Sequence, residues 1–117
     1  MMYEGTYPNK RYKKTIEFLK KHVSENASIL DLGVTNPFSE IMKQQGYAVE
    51  NTKGEDLDID TSSISNSNAE VVTAFEIFEH LLSPFTVLKS IKSDKLVASV
   101  PLKLWFSSAY RSKTDMR

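Results

Sequence analysis

The sequence predicts an α/β domain in which a mainly parallel, doubly wound sheet of roughly four or five strands carries helices on both faces. Short apolar runs alternate along the chain with amphipathic segments, and several of those runs stop at glycine or proline. The chain has 117 residues, of which 40% are hydrophobic. That length accommodates one hydrophobic core and not two, so a single domain is expected.

The first predicted element is an amphipathic helix over about residues 9–24. Four apolar side chains recur there at helical spacing: Tyr12, Ile16, Leu19 and Val23. Residues 28–33 then form an apolar run that stops at a glycine, which predicts a buried strand leading into a turn.

A second helix is predicted from Asn36 and Pro37. Asparagine caps free N–H groups at a helix start, and proline suits the first helical position, where its missing donor costs nothing. Ile41 and Met42 are expected to face inward, and Gly46 to end this segment.

The following segments alternate between strand and loop patterns. Residues 47–52 are predicted to form a second strand, and residues 56–60 a half-exposed strand or an extended edge segment. Residues 61–68 are rich in serine and asparagine and are predicted to form a loop. The β-branched residues within 70–75 indicate a buried strand.

Ser83 and Pro84 repeat the cap-and-proline pattern and predict the start of another helix. Its predicted apolar face consists of Phe85, Leu88 and Ile91. Residues 95–100 then form a predicted strand closed by Pro101.

Charge is balanced overall but segregated along the chain. There are 15 basic and 15 acidic side chains, which argues against a protein that wraps nucleic acid. Residues 1–22 contain six basic and two acidic side chains, residues 50–79 one basic and eight acidic, and residues 89–117 seven basic and two acidic. The acidic segment is either a solvated face or a rim around a site that holds a cation.

Several classes of protein are excluded or disfavoured. The chain has no cysteine, which excludes disulfides, thiolate metal sites and cysteine nucleophiles. No apolar stretch approaches the roughly 20 residues of a membrane span, and the first residues do not resemble a signal peptide, so a cytoplasmic protein without a membrane interaction is expected. Only two histidines are present, and a multi-histidine metal site is not expected.

Two segments are candidates for a functional site. Residues 31–37 follow the first predicted strand, where Gly33 permits a tight turn and the next helix start favours a carboxylate or phosphate. The alternative is an ordinary strand-to-helix turn. Residues 75–84 follow the central strand and contain Glu76, Glu79 and His80, which are either acid–base or ligand groups, or, for His80, a structural side chain bonded to loop carbonyls.

Four segments taken together resemble a known family. They are residues 29–33 (ILDLG), 46–49 (GYAV), 70–84 (EVVTAFEIFEHLLSP) and 96–101 (LVASVP). In this order they are similar to the Rossmann-like S-adenosylmethionine-dependent methyltransferases, and the resemblance covers about residues 28–101.

The resemblance implies that the chain is the cofactor-binding portion of an enzyme that transfers a methyl group from S-adenosylmethionine to an unidentified acceptor. The cofactor-binding residues that it implies are Asp31, Gly33, Val34, Asn36, Glu55, Asp56 and Glu76. Lys53 stands where the family carries the acid that binds the ribose, so Glu55 or Asp56 is expected to replace that acid. No catalytic residue and no metal ligand is assigned. The alternative is a non-catalytic module of the same fold that has lost cofactor binding and acts through interaction surfaces.

The resemblance also bears on organisation and assembly. Residues 1–26 are assigned to an N-terminal helix region, residues 27–101 to the cofactor-binding core and residues 102–117 to a tail. Because the family sheet has two further strands, a domain truncated after the strand at residues 96–100 is expected. The edge of that strand and the apolar residues of the tail predict a homodimer. Those apolar residues are Leu102, Leu104, Trp105 and Phe106.

Overall fold

The computed structural model describes the backbone of residues 2–99 and the side chains of residues 10–99. Pro101 and the tail, with the dimer contacts expected of it, lie outside the described residues. The elements are α1 (Met2–His22), β1 (Ser28–Asp31), α2 (Pro37–Gln44), β2 (Ala48–Asn51), α3 (Ser62–Ser65), β3 (Val71–Phe75), a 3₁₀ turn (Phe78–His80), α4 (Pro84–Ser90) and β4 (Lys95–Ser99).

The four strands form one parallel sheet in the order β2-β1-β3-β4. β1 lies inside the sheet, where Ile29 is in register with Val49 of β2 and with Val71 of β3. The chain therefore leaves β1 toward one side, forms β2, and returns to the other side of β1 as β3. This α/β architecture confirms the predicted parallel sheet and is compatible with a Rossmann-like fold.

Two buried clusters hold the sheet and helices together. Ile29 belongs to a cluster that contains residues of α1 and α2, whereas its neighbour Leu30 belongs to a cluster that contains residues of α3 and α4. Successive strand residues point to opposite faces of a sheet, which explains this division. The inward stripe predicted for the first helix is confirmed, because Ile16 and Leu19 of α1 are buried in the first cluster and Tyr12 packs against it. Val23 is buried in the same cluster but lies just after α1, which ends at His22 and not at residue 24 as predicted.

The strand considered for residues 56–60 does not form. The Asp56 carbonyl accepts hydrogen bonds from the backbone N–H groups of Ile59 and Asp60, and the Asp56 side chain accepts one from Asp58. Aspartate side chains compete in this way with the hydrogen bonds of a sheet. The next segment, predicted as a loop, contains the short helix α3.

The predicted apolar face of α4 is also wrong in part. Val87 is completely buried, and Ile91 packs against the same cluster, but Phe85 is 69% exposed and Leu88 40% exposed. Positions 87 and 91 lie one helical turn apart on the face toward the sheet, and positions 85 and 88 share a different face.

Candidate functional site

A cavity of about 460 Å³ lies at the carboxyl ends of β1 and β3. The turn after β1, the turn after β3 and part of α1 line it. The residues implied by the resemblance that line it are Asp31, Gly33, Val34, Asn36 and Glu76. Between β1 and β3 the winding of the chain changes direction, and open parallel sheets bind their ligands at such a position.

Gly33 shapes the turn after β1. Its φ angle is +106°, a conformation that residues with a side chain rarely adopt. Its N–H donates to Thr52 Oγ1 at 2.7 Å, and a Cβ atom at this position would lie 3.4 Å from Ile77 Cδ1. Backbone conformation, more than lack of space, therefore requires glycine here.

Asn36 caps α2 as predicted. Its Oδ1 accepts hydrogen bonds from the N–H groups of Phe38 and Ser39, each at 3.0 Å, and its own N–H donates to Ser39 Oγ at 2.8 Å. The first donors of the helix are thus already satisfied within the chain. Within residues 10–99 the backbone N–H groups of Val34 and Thr35 make no hydrogen bond, and of these two residues only Val34 lines the cavity.

Asp31 is a buried carboxylate that joins three strands. It is 2% exposed, and its Oδ1 accepts a hydrogen bond from Thr73 Oγ1 of β3 at 2.7 Å. Its Oδ2 accepts from Nδ2 of Asn51 of β2 at 3.1 Å and, more distantly, from Asn36 Nδ2 at 3.4 Å. Burial raises the pKa of Asp31 above its ordinary 3.8, and these three hydrogen bonds partly oppose the increase. Asp31 thus holds the cavity wall together.

Asn51 was not predicted as a site residue. Its Nδ2 also lies 3.1 Å from the carbonyl oxygen of Gly33 and 3.4 Å from that of Val34, while its Oδ1 is buried with no partner among the described residues. One sequence signal existed, because Asn51 is the last residue but one of the second predicted strand, at the edge where the parallel strand of Asp31 also ends.

Glu76 leaves β3 in a left-handed conformation, with φ of +59°. Its N–H donates to the carbonyl oxygen of Ser99 at 2.7 Å, and its carboxylate forms an ion pair with the guanidinium of Arg11 on α1. In the sequence, Arg11 is only one of several basic residues of the first predicted helix. Its role depends on how α1 crosses the sheet, which spacing along the chain does not encode.

Three aromatic rings line the cavity beside this ion pair. The ring centroids of Tyr12 and Phe38 are 5.0 Å apart, and those of Phe38 and Phe75 are 5.1 Å apart in an edge-on arrangement. The cavity therefore combines opposite charges with aromatic faces, which attract cations.

Glu55 and Asp56 do not line the cavity. The Glu55 carboxylate accepts hydrogen bonds from Lys53 N–H at 2.7 Å and from Ser63 Oγ at 2.6 Å, and the bond from Ser63 lowers the pKa of Glu55. Both acids lie in the loop after β2.

Glu79 and His80 lie in the 3₁₀ turn, outside the cavity lining, with His80 Nε2 3.8 Å from Glu79 Oε2. In the part of the chain that the structure describes, no three acidic or histidine side chains are placed to hold a metal ion. Within the described residues, the acidic segment therefore does not support the alternative of a cation site.

Comparison with protein-family models, with curated proteins and with solved structures gives no match to this chain. Among the described residues, no helix is both long enough and apolar enough to cross a membrane.

Proposed function

We propose that this chain is the cofactor-binding portion of an S-adenosylmethionine-dependent methyltransferase with a doubly wound sheet, acting on an acceptor that is not identified. The observation that carries the proposal is the position of the cavity, at the carboxyl ends of the two strands between which the winding reverses. Its volume of about 460 Å³ lies within the range of small-molecule sites.

The groups around the cavity fit the amino-acid end of the cofactor. Arg11 suits a carboxylate, as does the N–H group of Val34, which makes no hydrogen bond within residues 10–99, and the Glu76 carboxylate suits an ammonium group. The faces of Tyr12 and Phe75 suit the sulfonium. When bound, the cofactor supplies an electrophilic methyl group. The chain's residues orient the reactants and stabilise charge, so that a dedicated acid–base pair is not required.

The first experiment is calorimetric titration of the chain with S-adenosylhomocysteine. We expect binding by the parent and none by Gly33→Val, since a β-branched residue at φ +106° distorts the turn that presents the Val34 N–H group to the cavity. Gly46→Val is the matched control, because Gly46 has nearly the same φ of +103° and does not line the cavity. Circular dichroism verifies that both variants fold. Unchanged affinity in Gly33→Val would contradict the site.

The ribose assignment rests on the resemblance alone and needs its own test. If Glu55 or Asp56 accepts hydrogen bonds from the ribose hydroxyls, replacing that residue by alanine removes on the order of 1.5–3 kcal/mol of binding free energy, or about tenfold or more in affinity. The loop after β2 would then have to approach the cavity on binding. Parent-like binding by both single variants and by the double variant would remove these acids from the site.

A non-catalytic module is the second candidate, and one observation favours it. The Asn51 amide already meets the carbonyls of Gly33 and Val34, and Arg11 already pairs with Glu76, so much of the polar lining is satisfied without a ligand. A parent chain that folds but releases no heat with millimolar S-adenosylhomocysteine or S-adenosylmethionine would support this candidate.

A further inference from the structure

Two residues at the end of β2 hold the turn after β1 without lining the cavity. Asn51 is the last residue of β2, and its side-chain amide contacts three residues that do line the cavity, namely Asp31, Gly33 and Val34. Thr52 adds a contact, because its hydroxyl accepts the hydrogen bond from the Gly33 N–H at 2.7 Å. The shape of the turn therefore depends on residues that come 18 and 19 positions after Gly33 in the chain.

The amide of Asn51 acts only as a donor. Its Nδ2 has four oxygen atoms nearby: Asp31 Oδ2 at 3.1 Å, the Gly33 carbonyl at 3.1 Å, the Asp31 carbonyl at 3.3 Å and the Val34 carbonyl at 3.4 Å. An amide nitrogen carries two hydrogens, which the two shortest contacts use. Its Oδ1, in contrast, is buried with no partner among the described residues. A buried acceptor without a partner costs free energy, so the contribution of Asn51 lies in its two donors.

The hydrogen bond from Asn51 to Gly33 fixes the direction of the next N–H group. The Gly33 carbonyl and the Val34 N–H belong to one trans peptide unit, in which the C=O and N–H bonds point in opposite directions. Because the carbonyl points toward Asn51, the Val34 N–H points away from it. This N–H makes no hydrogen bond within residues 10–99 and belongs to a residue of the cavity lining. Asn51 thus sets the orientation of a donor that no described residue uses.

We propose that Asn51 is a positioning residue, whose amide directs the Val34 N–H into the cavity to bind the carboxylate of the ligand. The inference rests on the proposed function, in which the amino-acid end of S-adenosylmethionine lies at this turn. Asn51 does not touch the cofactor in this role and acts through the peptide unit between Gly33 and Val34. Ligands that carry the carboxylate therefore gain affinity from Asn51, and ligands without it do not.

Two ligands separate this role from a general effect on the fold. S-adenosylhomocysteine carries the amino-acid end, whereas methylthioadenosine keeps the nucleoside and the sulfur but lacks that end. In calorimetric titrations we expect Asn51→Ala to weaken binding of S-adenosylhomocysteine by about tenfold or more and to leave binding of methylthioadenosine unchanged. The matched control is Asn68→Ala, at an exposed asparagine whose side chain makes no hydrogen bond among the described residues. This control should leave both affinities unchanged.

Nuclear magnetic resonance of the ligand-free chain tests the orientation of the peptide unit by itself. The resonances of the Gly33 carbonyl carbon and the Val34 amide nitrogen respond to the hydrogen bond that this carbonyl accepts. We expect both resonances to shift in Asn51→Ala and to stay at their parent positions in Asn68→Ala. If these shifts appear but the parent binds no S-adenosylhomocysteine, the proposed function fails and the orienting role of Asn51 stands.

Three results would overturn the proposal. Equal losses of affinity for both ligands in Asn51→Ala show that Asn51 only stabilises the fold, and parent-like affinity for S-adenosylhomocysteine shows that the ligand does not depend on it. Unchanged Gly33 and Val34 resonances show that the amide does not orient the turn. Circular dichroism verifies that each variant folds, and Asn51→Ser, which keeps a shorter donor, repeats the measurements if Asn51→Ala does not fold.

Discussion

Asp31 is a single buried residue that holds together the wall of the candidate site. A buried carboxylate is unfavourable unless donors surround it, and here Thr73 and Asn51 bring donors from both neighbouring strands. Deleting the donor of Thr73 would leave this charge less well satisfied. Because these donors come from both neighbouring strands, the alignment of the three strand ends affects the protonation of Asp31.

The raised pKa of Asp31 predicts a specific pH dependence. Its folded pKa exceeds the ordinary value near 3.8, so the folded chain binds more protons than the unfolded chain between the two pKa values. The contribution of Asp31 to the free energy of unfolding therefore falls as pH rises through that window. We expect the free energy of unfolding of Asp31→Asn, relative to the parent, to increase from about pH 3 to about pH 7 in urea denaturation.

Asp60→Asn is the control with the opposite sign. Hydrogen bonds from the side chain and backbone of Ser62 lower the pKa of the exposed Asp60, so its contribution is present at neutral pH and is lost as pH falls. The stability of this variant relative to the parent should therefore decrease as pH rises. A difference between Asp31→Asn and the parent that does not change with pH would contradict the raised pKa.

Glu76 is the second residue of the site with an unusual property. Its left-handed backbone conformation costs free energy in a residue other than glycine, and such conformations are concentrated at functional sites. Here the conformation accompanies an N–H that donates to β4 and a carboxylate paired with α1. It therefore supports the choice of this cavity as the candidate site.

At the scale of the elements, two helices begin with similar sequences but are capped differently. Asn36 accepts two backbone N–H groups at the start of α2, whereas Ser83 makes no cap hydrogen bond to α4 and its hydroxyl meets that of Thr86. The donors near the start of α4 are satisfied instead by Asp58, from the loop after β2. Two similar helix starts are thus stabilised differently. The first N–H groups of α2 bond to a residue next to them in the chain, whereas those near the start of α4 bond to a residue distant in the chain.

Alanine substitutions at Asn36 and Ser83 should distinguish a helix start that depends on its cap side chain from one that does not. Asn36→Ala is expected to lower the free energy of unfolding by about 0.5–2 kcal/mol, because two N–H groups lose their acceptor. Ser83→Ala, the matched control, should lie within about 0.5 kcal/mol of the parent, as for most surface substitutions. Urea denaturation measures both, and equal effects of the two substitutions would show that the capping geometry of Asn36 is not what stabilises α2.

At the scale of the whole molecule, the sheet is unevenly covered. The first four residues of β3 are all buried, whereas Lys95, Leu96 and Ala98 of β4 are exposed. Among the described residues β4 has a single neighbouring strand, while β1 and β3 each have two. Stability should therefore decrease from the centre of the sheet toward β4.

Hydrogen exchange tests this gradient. We expect the amides of β1 and β3 to exchange only through global unfolding, and those of β4 to exchange measurably faster through local opening. Mass spectrometry of peptic fragments, with the four-residue edge strand β2 as the comparison, resolves the difference. Protection of β4 equal to that of β3 would show that a further segment or a partner covers it.

The sequence alone determined most of the element pattern, because the signals for it are local. The stripe of α1, the apolar run of β1, the Asn36 cap and the buried strand β3 each depend on residues close together in the chain. The resemblance pointed to five residues that the fold brings to one cavity. Their binding of a cofactor remains a prediction.

The tertiary structure alone decided which distant residues meet and which apolar faces are covered. Arg11 reaches Glu76, and Asn51 reaches Asp31, only because the strand order puts β1 between β2 and β3 with α1 alongside the cavity. Phe85 fits a helical apolar pattern but is exposed, because the orientation of α4 on the sheet directs Val87 inward. Spacing along the chain specifies which residues share a face, whereas packing against the rest of the molecule selects the face that is buried.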